Sequence, residues 1–246
     1  MNNDIKQVQK MINDSDNIVF FGGAGVSTAS GIPDFRSEDG LYNGKHNFKY
    51  PPEIMLSTNF FEKKPKEFFE FYKDTMCVLG YKPNSVHYKL AELEKIGKLK
   101  AVITQNVDGL HQAAGSQKVI ELHGTIHDNT CIKCGKKFTA EYVKNSKGIP
   151  LCDECNDKDA FVNPGITLYG ETLPFGAFEE ASNYVANADM LIVAGTSLNV
   201  YPAASLLNKF SGKYLIIINK QETNRDKRAT LVIHDDMVEV FNQLKF

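Results

Sequence analysis

A series of short, uninterrupted apolar runs constrains this chain more than anything else in its sequence. Ile18-Val19-Phe20-Phe21 leads into Gly22-Gly23-Ala24-Gly25, Ala101-Val102-Ile103-Thr104 into Gln105-Asn106-Val107-Asp108-Gly109, and Val119-Ile120-Glu121-Leu122 into His123-Gly124. Further on, Met190 to Ala194 ends at Gly195-Thr196-Ser197, and Tyr214 to Ile218 forms a last run. Runs this short, with little apolar/polar alternation, read as strands buried on both faces, the habit of parallel sheets. Helical spacing fills the intervals. Ile5, Val8, Met11 and Ile12 make one apolar stripe between about Asp4 and Ser15, and further helices are predicted over Val86 to Ile96, about Phe175 to Ala186, and from about Ala203. Strands alternating with helices imply an α/β fold built on a doubly wound, parallel, Rossmann-like sheet.

Two stretches break that alternation. From Asp34 to about Tyr50 the chain is polar and glycine-bearing, and after Pro51-Pro52 the aromatic-rich segment Phe60 to Tyr72 reads as helices. Residues 37–82 are therefore expected to form a loop and helical lid module. The lysine-rich segment Cys131 to Cys155 is too poor in apolar residues to join the main core, so 126–159 is expected to be a small insertion. The Rossmann-like domain then comprises 1–36, 83–125 and 160–246, its pattern resuming at Gly165 to Tyr169. A chain of 246 residues can build one such core plus a smaller module.

A net charge of −2 gives no global basic field for nucleic acid or an anionic membrane, so neither partner is expected. The amino-terminal MNNDIKQVQKMINDSDN has neither the basic start nor the apolar run of a signal peptide, and no apolar run is long enough to span a bilayer. A cytoplasmic location is expected, where thiols stay reduced and cysteines serve metals more readily than disulfides. Cys131 and Cys134 form one CxxC pair and Cys152 and Cys155 another, with seventeen residues between. That spacing fits a tetrahedral four-thiolate zinc site with no open coordination position, hence one structural zinc per chain. Cys77 stands apart and reads as a small buried hydrophobe.

The turn Gly23-Ala24-Gly25-Val26-Ser27-Thr28 follows a strand and opens a helix, where backbone amides and the helix dipole can meet a pyrophosphate. Thr28 stands where the dinucleotide fingerprint has its third glycine, and no acidic residue follows on a clear second strand, so a plain structural turn stays open at this point. Arg36, one of three arginines in the chain, lies just beyond in Gly31-Ile32-Pro33-Asp34-Phe35-Arg36. It suits bidentate phosphate contact, or is simply a surface arginine. Gln105, Asn106 and Asp108 occupy the carboxyl end of a strand, where open α/β sheets bind ligands, and His123 ends the next strand. His46, His87, His111, His127 and His234 have no comparable setting and read as structural.

Taken together and in order, these motifs resemble the sirtuin family over nearly the whole chain. They continue through Val107 to His111, Tyr169-Gly170-Glu171 and Gly195-Thr196-Ser197-Leu198-Asn199-Val200-Tyr201-Pro202-Ala203. The resemblance implies an NAD-dependent protein-lysine deacetylase. Its products would be nicotinamide, O-acetyl-ADP-ribose and free lysine, and its partners acetylated proteins or peptides. It places Gly23, Ala24, Gly25 and Ser27 at the diphosphate and Phe35 and Arg36 in the cofactor loop. Asn106 and Asp108, with Gln105 beside them, fall at the nicotinamide, and Gly195, Thr196, Ser197 and Asn219 at the ribose and adenine end. His123 is the implied general base, acting through the ribose hydroxyls so that the 2′-hydroxyl can capture the acyl carbon. Ser37 stands where many relatives have glycine, and Asn163-Pro164 where relatives often have arginine before the proline. Relatives that prefer acidic acyl groups carry a tyrosine and, three residues on, an arginine. Here Tyr72 is followed by Thr75, which implies acetyl over succinyl. A mono-ADP-ribosyltransferase shares the cofactor chemistry and is the nearest alternative. A dehydrogenase and a zinc-ribbon binding module fit less well.

Overall fold

A computed structural model describes residues 3–37, 40–41 and 48–246; His46 and the remainder of the polar loop lie outside the described residues. Strands β1 (Ile18–Gly22), β2 (Leu99–Thr104), β3 (Val119–Glu121), β7 (Met190–Ala194), β8 (Tyr214–Ile218) and β9 (Leu231–Ile233) form one sheet in the order β3-β2-β1-β7-β8-β9. Every neighbouring pair is parallel. The period of two along each strand sorts side chains to opposite faces. Ile18, Phe20, Val102, Ile192 and Ile216 pack with helices α1 (Asn3–Asn13), α5 (Ser85–Lys95) and α9 (Met237–Asn242). Val19, Phe21, Ile103, Val193 and Ile217 pack with α8 (Ala177–Asn187) and the 3₁₀ segment Ala203–Lys209. Helices on both faces explain why the strands read as unbroken apolar runs. The strand order reverses between β1 and β7, which opens a crevice at their carboxyl ends.

The remaining elements build a second, smaller core. Helices α2 (Pro52–Met55), α3 (Thr58–Lys63) and α4 (Pro65–Thr75) precede α5, whereas the short α6 (Leu110–Ala113), between β2 and β3, packs on α5 and stays outside this core. An antiparallel sheet of β4 (Asn129–Cys131), β5 (Lys137–Phe138) and β6 (Val162–Asn163), in the order β5-β4-β6, is completed by α7 (Ala140–Asn145). Phe60, Phe68, Phe69, Phe71 and Tyr72 from the helices share one cluster with Ile126, Phe138, Val143, Cys152 and Val162 from this sheet and its loops. Two segments that the sequence separates are thus a single packed body. Lys73 Nζ donates to Ser146 O at 2.7 Å and Lys144 Nζ to Lys73 O, tying the ends of α4 and α7 together.

Several expectations change. The segment after β1 is a helix, but a seven-residue 3₁₀ helix, Ala24–Ser30. Gly165 to Tyr169 adds no strand to the main sheet. Ile166 and Leu168 turn into the second core, while Thr167 N donates to His123 O at 2.8 Å. The small sheet takes its third strand from beyond residue 159. Strand β9 and helix α9 were not anticipated; each is short, and α9 is announced only by the Asp236 cap, whose side chain accepts Val238 N at 2.8 Å. No helix among the described residues is long and apolar enough to cross a membrane.

Candidate active site and metal centre

The turns that follow β1, β2, β3, β7 and β8 meet in one hydrogen-bonded cluster. Gly23 N donates to Ala194 O at 3.2 Å and Gly25 N to Gly195 O at 2.9 Å, so the β1 and β7 turns lie backbone against backbone. A Cβ on Gly25 would stand 2.8 Å from Gly195 Cα, and one on Gly195 would stand 2.6 Å from Val26 N. Gly195 also has φ +62°, a conformation that glycine adopts at little cost. These contacts give the glycines a reason that the sequence did not show. Two of the amides expected to face a phosphate are already spent inside the protein, and the absence of side chains is what keeps the crevice floor low.

Above that floor runs a directed polar chain. Asn106 Nδ2 donates to Ser27 Oγ at 3.0 Å, and Ser27 Oγ donates to Asp108 Oδ2 at 2.7 Å. Asp108 Oδ1 accepts Leu110 N at 2.9 Å, and Asn106 N donates to Thr104 Oγ1 at 3.0 Å. All three members are buried, Asn106 and Asp108 each 9% exposed and Ser27 1%. The order of donors fixes the Asn106 amide, because its Nδ2 must face Ser27. Gln105 Nε2 donates to Thr196 Oγ1 at 2.9 Å, joining the β2 and β7 turns. Asn219, at the end of β8, holds the Thr196 backbone from both sides, accepting Thr196 N at 3.1 Å and donating to Thr196 O at 2.9 Å. Ser197 is half-buried beside them, and Phe35 packs against the second core while Arg36 is exposed. Asp34 Oδ1 accepts the Arg36 and Ser37 amides at 3.0 and 2.8 Å, shaping the start of their loop.

His123 sits half-buried at the end of β3 with Nδ1 3.0 Å from Gln105 O. The carbonyl requires Nδ1 to carry the proton, which leaves the Nε2 lone pair as the basic site. Burial lowers its pKa below 6.5, and the bond to the Gln105 carbonyl partly opposes that. His127 Nε2 donates to Asp108 O at 3.3 Å and His234 Nδ1 to Asn219 O at 3.1 Å, so both histidines support backbone of the cluster. His87 and His111, read as structural from the sequence, lie buried close by. Their polar surroundings could have been suspected from His111 falling three residues after Asp108 on a short helix.

In the second core, the four sulfurs of Cys131, Cys134, Cys152 and Cys155 lie within 4.8 Å of one another. Cys131 and Cys155 are 3.8 Å apart and Cys134 and Cys152 3.7 Å. A tetrahedron with zinc–sulfur bonds of about 2.3 Å has edges of roughly 3.8 Å, so the residues fit a Cys₄ zinc site. Cys131 is lowered to about 6, chiefly by the Cys134 backbone N–H, whereas Cys155 is pushed well up by the neighbouring Cys134 thiol and by burial. Four adjacent thiolates repel; a dication at their centre removes that conflict. Lys136 pairs outside the cluster with Asp153 at 2.7 Å and Glu154 at 2.8 Å.

The model of the Sir2 family matches residues 23–202. An NAD-dependent protein deacetylase of Clostridium acetobutylicum is 53% identical over 237 residues, which is 96% of each chain. The solved structure of a Sir2 variant with a deacetylated p53 peptide and 3′-O-acetyl ADP ribose matches with a TM-score of 0.89 at 43% identity, covering 97% of this chain and 96% of that one. A Sir2 complex with a p53 peptide and NAD+ matches with a TM-score of 0.85 at 42% identity, covering 99% and 97%.

Proposed function

The chain belongs to the Sir2 family, and from that premise we propose that it is an NAD-dependent protein-lysine deacetylase acting on acetylated proteins or peptides. The observation that carries this reading is the convergence of five strand-end turns on one crevice holding the Asn106–Ser27–Asp108 chain and His123. The glycine floor at Gly23, Gly25 and Gly195, with Ala24, Ser27, Thr196 and Ser197, suits close approach of a dinucleotide. Phe35 and Arg36 open the loop that would lie against it, Arg36 contributing the charge that pairs with phosphate. Gln105 and Asn219 act through the turns they brace.

When bound, NAD supplies a labile bond between nicotinamide and ribose, whose loss drives transfer of the acyl group to the sugar. The chain's own residues supply position and proton transfer. With its Nδ2 committed to Ser27, Asn106 presents its amide in one orientation, and Asp108 is the buried carboxylate that anchors the series. Both are assigned to the nicotinamide end. His123, neutral with Nε2 unprotonated, takes a proton from a ribose hydroxyl. The zinc centre has no role in the chemistry and holds the second core together. A cytoplasmic location belongs to the same proposal, because four reduced cysteines are what the metal needs.

Mass spectrometry of a reaction containing NAD and an acetyl-lysine peptide tests the proposal. The expected products are free lysine peptide, nicotinamide and O-acetyl-ADP-ribose in equal amounts. ADP-ribose attached to protein with the acetyl group left in place would mark a transferase instead.

A further inference from the structure

Beyond the Ser27–Asp108 pair, where Asp108 Oδ1 accepts Leu110 N at the start of α6, lies a polar layer that the proposed reaction leaves idle. His87 on α5 is 0% exposed and His111 on α6 is 1% exposed, with ring centroids 4.6 Å apart and planes tilted by 59°. His87 Nδ1 accepts the backbone N–H of Asn84 at 3.2 Å, within the cap of α5. A neutral His87 therefore carries its proton on Nε2. That Nε2–H and both ring nitrogens of His111 have no hydrogen-bond partner among the described residues. Phe20 covers another side of His111 at 6.1 Å. Burial keeps both rings neutral, and Asp108 is near enough to oppose part of that effect at His87.

The inventory is specific. Two imidazole N–H donors and one imidazole acceptor are buried without partners beside a carboxylate that has used one acceptor position on each oxygen. Buried polar atoms are almost always paired, and an internal water typically makes about three hydrogen bonds to such groups. A metal is the rival occupant. Among the described residues, however, the four cysteines are the one group of histidine, cysteine and carboxylate ligands gathered closely enough for an ion.

We propose that His87 and His111 form the walls of an internal water site, and that this water braces the Asp108 carboxylate from within the fold. The water accepts from His87 Nε2–H and from the His111 N–H turned toward it and donates to Asp108, which leaves over only the second His111 nitrogen, an acceptor. Both histidines are then positioning residues, keeping Asp108 in the one orientation that receives the Ser27 hydroxyl and, through it, sets the Asn106 amide. The consequence for catalysis rests on Asp108 belonging to the NAD site.

Two measurements test this. A high-resolution crystal structure of the full chain is expected to show an ordered solvent peak within hydrogen-bond distance of His87 Nε2 and a His111 nitrogen. A dry contact between the rings, or density with metal coordination distances, overturns the proposal. In steady-state kinetics His111→Phe, which keeps an aromatic ring but no hydrogen-bonding nitrogen, is expected to raise KM for NAD roughly tenfold, the order that loss of one buried hydrogen bond gives. KM for acetyl peptide should hardly move, and His111→Gln should recover most of the loss. An unchanged KM for NAD, or His111→Gln no better than His111→Phe at equal Tm, overturns it. If His111→Phe does not fold, His87→Gln and His87→Leu give the corresponding pair of readings, compared at equal Tm because His87 also caps α5. If the wild type does not consume NAD, the functional reading fails while the solvent peak still decides the water site.

Discussion

A general base works only while unprotonated, and at His123 burial favours that form by lowering the pKa below 6.5. The acid limb of the kcat/KM profile is accordingly expected to have its midpoint below pH 6.5; a midpoint well above pH 7 would remove His123 from the role. His123→Ala should cut deacetylation by about 10²–10⁴-fold. Exchange of labelled nicotinamide into NAD, measured with acetyl peptide present, should survive, because that step takes no proton from the sugar. Asn106→Ala and Asp108→Ala should damage both readouts. His87 and His111 govern stability in another pH window. Their folded pKa values, about 4 and about 3, lie below the ordinary 6.5, so stability present above pH 6.5 is lost as pH falls toward 4 and the unfolded chain takes up protons first. Thermal melts should decline across that range, and less steeply for His111→Phe. Acyl preference is also decided residue by residue. Tyr72 is fully buried with its hydroxyl beside the Cys77 thiol, and Thr75 spends its hydroxyl on Phe71 O at 2.8 Å. Neither can neutralise a buried carboxylate, so acetyl-lysine peptides should be turned over far more efficiently than succinyl ones. Equal kcat/KM on the two would end that reading.

The crossed turns of β1 and β7 are the element on which the site depends most. Gly195→Ala would place a methyl group 2.6 Å from Val26 N on a residue with φ +62°. The expected result is a loss of about 1–3 kcal/mol in stability together with NAD binding, read by denaturant titration and calorimetry. Elements of this kind show how far the sequence could be read. Strands β7 and β8 fall where their apolar runs place them, because burial on both faces leaves no ambiguity of type. The same strand ends located Asn106, Asp108, His123 and Thr196, since loops at the carboxyl edge of a parallel sheet must converge. Contacts distant in sequence were invisible. Nothing local marks Gly25 as packing on Gly195, or Asn219 as clasping the Thr196 backbone. The 3₁₀ form of Ala24–Ser30 is not legible because the strand and glycine turn announce a helix there without fixing its type, and seven residues carry too few apolar side chains to set a period. Strand β9 rests on the three-residue run Leu231-Val232-Ile233, shorter than the four-residue run Val119 to Leu122 that marks β3 and with no glycine turn after it.

At the scale of the whole molecule, one sheet-based core carries the crevice and a second core joins the cysteine module to the aromatic helices. One zinc per chain is expected on metal analysis. Its removal should unfold more than the cysteine segment, since Phe68, Phe69 and Tyr72 share one hydrophobic cluster with Phe138, Val143 and Val162. Hydrogen exchange after chelation should show protection falling together in Pro65–Thr75 and Asn129–Cys131 while Met190–Ala194 stays protected. Protection retained in Pro65–Thr75 would mean that the two parts stand alone. The order of the chain gives this shared core a history during synthesis. Helices α2 to α4 leave the ribosome well before Cys131 to Cys155, and at roughly 5–20 residues per second their aromatic side chains wait several seconds for the surface that will cover them. In that interval the nascent chain is expected to expose a run of phenylalanines, and zinc present during synthesis should raise the share that reaches the finished fold, as soluble yield with and without added zinc would show.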